Sequence, residues 1–136
     1  MTETEIGALL VDAFQKQTSL YKELELINCG FEKRLNKRPE KSLLSSFIQE
    51  KKHVMNRVSE IDVLAGSAKE EWRARKSDWK DPVVKLKIEE AITVLSGQMS
   101  KTIESEKRVE EGLKKASPLK NSTVSQKYKT QNLDPL

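Results

Sequence analysis

His53 is the only histidine of the 136-residue chain and Cys29 its only cysteine. A zinc site needs three or four ligands at short spacing, and a redox pair needs a second thiol nearby. Neither can be assembled from one residue of each type. His53 follows Lys51 by two positions, which on a helix turns it to the polar side. The carboxylates stand among lysines at helical spacing, where surface pairing is their ordinary use. Glycines 7, 30, 66, 97 and 112 are isolated, so no glycine-rich phosphate loop exists. These residues predict a chain that is not an enzyme and binds neither cofactor nor metal.

Two other groupings carry chemistry of recognition. The run from Trp72 to Asp81 mixes Arg73, Arg75, Lys76 and Lys80 with Trp72 and Trp79, and aromatic plus basic residues can hold a nucleic-acid strand. Asp78, Asp81, Glu70 and Glu71 dilute that patch, and the two tryptophans are seven residues apart, on one helical face. The expectation is that they close the end of a core, with an exposed Trp79 as the alternative, and that no nucleic acid is bound. The second grouping is polar: Gln17, Lys51 and Glu106 interrupt otherwise apolar seams. Lys51 and Glu106 are equidistant from position 78.5, so a helical hairpin turning there would bring them level. Two readings follow: a charge pair inside a bundle that fixes helix register, or two side chains that snorkel to water separately.

The seams themselves define the elements. Leu44, Phe47, Lys51, Val54, Val58, Ile61, Ala65, Ala68 and Trp72 step by three and four without a missed beat, the pattern of a helix lying along partner helices. This stretch looks like the one that the rest of the chain covers. Before it, Ile6, Leu10, Ala13, Gln17, Leu20, Leu24, Ile27 and Phe31 repeat the rhythm, widened by Leu9, Phe14, Tyr21 and Leu35. Thr2 and Glu5 have capping-box spacing. Arg38-Pro39 and Asp81-Pro82 break the pattern, since proline disfavours helix before itself and suits a helix start. The last seam runs from Ile88 through Leu95, Met99, Val109 and Leu113. Gly97 and Gly112 weaken it by about 1 kcal/mol each relative to alanine. The fold predicted is all-α: three long helices, about 3–36, 39–79 and 82–116, in an antiparallel up-down-up bundle, with residues 117–136 as a flexible tail.

Composition agrees with this reading. Charged residues make up 34% and aromatics 5%, which suits long narrow helical layers rather than a sandwich. The net charge of +4 comes from 25 basic and 21 acidic residues, interspersed as on a solvated surface. The acidic start, Met1 to Glu5, does not read as a signal peptide. No apolar run approaches a membrane span of about 18 residues. A single cysteine fits a reducing, cytoplasmic setting. In the tail, Val124 and Tyr128 stand four apart, which fits either anchors for folding on a partner or an inert polar tail.

Three stretches resemble the FlgN-type flagellar export chaperones. The segment from Lys41 to Asp62 (KSLLSSFIQEKKHVMNRVSEID) looks like that family's second helix. Ile103 to Leu113 (IESEKRVEEGL) is similar to the late helix preceding its substrate-binding tail, and Leu9 to Leu26 fits its first helix. The likeness spans about residues 6–116. It implies a cytosolic chaperone that binds hook–filament junction subunits and delivers them to the type III export apparatus. On that reading Val109, Leu113, Val124 and Tyr128 form the partner surface. The rival expectation is a structural coiled-coil subunit or regulatory three-helix module of a larger assembly, and homo-oligomer formation stays open.

Overall fold

The computed structural model describes residues 1–35, 37 and 41–116. Their regular structure is helical: α1 (Glu3–Leu35), α2 (Lys41–Leu64), α3 (Gly66–Arg75), a 3-10 turn at Lys76–Asp78, and α4 (Pro82–Ala116). The tail, with Val124 and Tyr128, lies outside the described residues, as does the Arg38-Pro39 break.

The helix starts are built by their side chains. Glu5 N–H donates to Thr2 Oγ1 at 3.1 Å and Thr2 N–H donates to Glu5 Oε1 at 3.3 Å, the reciprocal capping box. At the start of α4, Asp81 Oδ1 accepts from the backbone of Val83 and Val84 at 3.0 and 3.2 Å. Glu3 ties the two starts together, its carboxylate accepting from Lys80 N–H and Asp81 N–H.

That tie sets a register. α1 and α4 run parallel, and residues facing each other are repeatedly 77 apart: Glu3 with Lys80, Asn28 with Ser105. Gly7 with Val84 and Leu35 with Gly112 obey the same offset. Since 77 is eleven heptads, equivalent seam positions meet along the whole length. Gly7 marks the tightest approach, where an added Cβ would collide with Val84 Cγ1. α2 runs the other way, stacking Phe47 on Phe31 with ring centroids 3.8 Å apart. α4, α2 and α3 all pack on α1. The hub is therefore α1, and the Leu44–Trp72 seam is one of its covers.

The second helix is not continuous to 79. It breaks at Ala65 (φ −95°, ψ 1°), and α3 begins at Gly66. Gly66, which lacks a Cβ, lowers the cost of that interruption, while Ala65 N–H still donates to Ile61 O at 2.9 Å and Lys69 N–H to Ala65 O at 2.9 Å. Beside the break, the amide of Gln17 donates to Val58 O at 3.3 Å and to Asp62 Oδ1 at 2.6 Å. Lys69 of α3 reaches back to Asp62 at 2.5 Å and spans the break. Ala65, Ala68 and Trp72 stay buried through it, so the seam continues across the break. Beyond it Trp72 and Trp79 pack edge to face at 5.3 Å and close this end of the core.

Candidate helix-docking end of the bundle

A polar layer crosses the bundle toward the C-terminal end of α1. Asn28 Nδ2 donates to Ser105 Oγ at 2.8 Å and to Glu106 Oε1 at 3.2 Å. Lys51 Nζ reaches Glu106 from α2 at 2.5 Å, and it also lies 4.9 Å from the centre of the Phe47 ring. Lys51 is 1% exposed and Glu106 21%. Burial pulls the Lys51 ammonium below the ordinary lysine value, while Glu106 acts in the opposite direction. One turn away Thr102 Oγ1 donates to Tyr21 O at 2.8 Å, closing α4 onto α1.

This layer divides the interior. The larger cluster runs from Ile6, Trp72 and Trp79 to Leu95 and Met99. Beyond the layer a smaller one gathers Phe31, Leu35, Phe47, Val109 and Leu113. Half-buried Ile27 and Ile48 touch both. Val109 and Leu113, expected as partner surface, are thus interior residues, 3% and 6% exposed. The physical reason is Gly112: with no side chain there, Leu35 approaches to 3.1 Å of where its Cβ would be, and the helix ends close over both residues.

An open apolar feature lies beside this cluster. A groove of about 270 Å³ runs between α1 and α2, floored by Phe31, Phe47 and Gly30 and walled by Leu26 and Leu43. Leu26 is 64% exposed. A Cβ added at Gly30 would have no atom within 4 Å, so the floor has room for a bulky side chain. Glu23 and Glu50 rim one end and Arg34 the other. Among the described residues neither Glu50 nor Arg34 forms a salt bridge, whereas Glu23 stands 3.6 Å from Arg57. A second, larger groove of about 490 Å³ between α1 and α4 has a more polar lining, with Val11, Ala91 and Val94 among Gln15, Thr18, Lys87 and Glu90.

The remaining sequence candidates are dispersed. His53 is exposed on the outer face of α2 among polar neighbours. Cys29 is half-buried, with Arg108 Nη2 3.7 Å from its sulfur. No group of three or more metal-ligating side chains forms among the described residues. Trp79 is buried, 8% exposed, rather than a free anchor. Sequence reasoning missed the groove, although Leu26 off the seam and Gly30 one turn later were its signal. Comparison with known proteins adds nothing to this geometry: no family model, curated protein or solved structure matches the chain.

Proposed function

We propose that this chain is a helix-binding chaperone of the FlgN type, which holds the terminal helices of hook–filament junction subunits in the cytoplasm and hands them to the type III export apparatus. The resemblance of Lys41–Asp62 and Ile103–Leu113 to that family supplies the identity of the partners. The observation that carries the binding role is the small apolar cluster beyond the Lys51–Glu106 layer, with the groove over Gly30 open beside it. A structural coiled-coil role is less favoured, because the seams of α1, α2 and α4 are filled by one another within one chain. No helix of the described residues is long and apolar enough to cross a membrane, in keeping with a carrier that moves between partners.

Affinity capture on the full chain from its own cells, followed by mass spectrometry, tests this reading. Junction subunits are expected as captured proteins, and their loss on truncation at Ser117, with helix content retained by circular dichroism, is expected too. Recovery of a fixed-stoichiometry assembly without export components would favour the structural role instead.

A further inference from the structure

The α1–α2 groove has a length, a floor and a polarity, and together they specify an occupant. Its α1 side runs from Glu23 to Arg34, twelve residues spanning roughly 16 Å, the length of about three helical turns. Both walls are helices whose ridges leave a lengthwise furrow, the shape that accepts another helix. The floor is apolar, and the open space over Gly30 is bounded by Leu26, Phe31 and Phe47. The charges at its ends are of opposite sign, and Glu50 and Arg34 have no ionic partner among the described residues. A helix carries partial positive charge at its N-terminus and negative at its C-terminus. Its favourable orientation therefore puts the N-terminus toward Glu23 and Glu50 and the C-terminus toward Arg34.

We propose that this groove binds one amphipathic partner helix of about three turns, lying parallel to α1, with a large apolar side chain seated over Gly30 and a lysine or arginine reaching Glu50. The inference rests on the helix-binding reading above and assigns its site, direction and anchor chemistry. It moves the contact surface from Val109 and Leu113, which are interior, to Leu26, Gly30 and Leu43. An exposed apolar residue such as Leu26 beside a charged rim of Glu23, Glu50 and Arg34 matches the core-and-rim build of an interface.

The test uses the full chain and a fluorescein-labelled amphipathic peptide of about 14 residues, with a leucine face, a central phenylalanine and two lysines in its first turn. Fluorescence anisotropy is expected to show saturable binding in the micromolar range. Gly30→Phe fills the anchor site and is expected to weaken binding roughly tenfold or more, the equivalent of one large side chain's burial. Glu50→Lys is expected to weaken it as well, and a peptide with glutamates in place of its lysines should bind less. Leu26→Glu gives an independent exposed variant should Gly30→Phe fold poorly, with thermal melts as the control. Equal affinity in Gly30→Phe and Leu26→Glu to that of the parent overturns the proposal. So does a concentration-dependent dimer, seen by sedimentation, that Gly30→Phe abolishes, because the groove then belongs to a second copy. Junction subunits still captured by the Gly30→Phe chain would retain the chaperone reading and remove the groove from it. Peptide binding with no junction subunit captured would do the reverse.

Discussion

Lys51 of α2 holds Glu106 of α4 across the bundle at 2.5 Å, and Asn28 of α1 donates to the same carboxylate at 3.2 Å. Three helices therefore meet on one side chain. Removing Glu106 takes a carboxylate away from an ammonium that is 1% exposed. Glu106→Ala is expected to destabilise at the low end of the roughly 3–5 kcal/mol seen when a buried pair is broken, since Glu106 keeps some contact with water. Lys51→Met with Glu106→Leu, which removes both charges, is expected to be near neutral or stabilising. Urea denaturation of the parent and the two variants decides this, and equal losses in single and double variants would contradict a coupled pair.

Leu113 separates a core role from a surface role. At 6% exposure Leu113→Ala should cost about 2–5 kcal/mol in chemical denaturation, as buried leucine truncations do. Leu26→Ala, on the open groove, should stay within roughly 0.5 kcal/mol of the parent. A reversed order would mean that the end of α4 is not packed against Leu35 and Phe47.

Two glycines should respond in opposite directions. Gly7→Ala drives a methyl into Val84 and is expected to cost about 1–3 kcal/mol. Gly97 is exposed within α4 with open space around it, so Gly97→Ala should stabilise by about 0.5–1 kcal/mol. Thermal melting of both variants checks the pair, and a Gly7→Ala protein as stable as the parent would be incompatible with the α1–α4 approach described.

Much of the fold is legible in the sequence, and the failures have physical causes. Thr2 with Glu5 and Asp81 with Pro82 announce helix starts through local chemistry, and local chemistry does not depend on the fold. The level placement of Lys51 and Glu106 follows from a hairpin centre, which Asp81-Pro82 locates closely. Periodicity states that a face is buried without saying against what, so Leu44–Trp72 reads as the hub when α1 is. The break at Ala65 leaves no mark on the period, because Ala65, Ala68 and Trp72 continue the seam across it. Gly112 is a weakness on propensity alone and a close-packing site in three dimensions. The groove needs two helices brought together, so Leu26 and Leu43 cannot announce it separately.

Tyr21 gives the bundle an alkaline limit. Burial, helped by the charge of Asp62, pushes its phenol from 10.0 up to about 12. The folded state thus holds this proton more tightly than the unfolded chain does. The stability it contributes is fully present below pH 10 and is lost as pH rises toward 12, on the order of 2–3 kcal/mol. Lys51, whose folded value is lowered, acts with the opposite sign below the ordinary lysine value. Comparing the parent with Tyr21→Phe therefore isolates the phenol. Between about pH 9 and about pH 11.5 the parent's urea midpoint should fall further than that of Tyr21→Phe, and equal falls would remove the contribution.

The 77-residue offset between α1 and α4 also has a temporal meaning. As the chain leaves the ribosome, α1 and α2 can meet as a hairpin of short sequence separation, while the strip of α1 that carries Gly7, Asn28 and Leu35 waits for a helix not yet made. Contacts of such separation close late and set the pace of folding. Until α4 docks, a growing chain presents a bare apolar stripe along its first helix. The newborn protein is, for that interval, itself a molecule in need of a helix to hold.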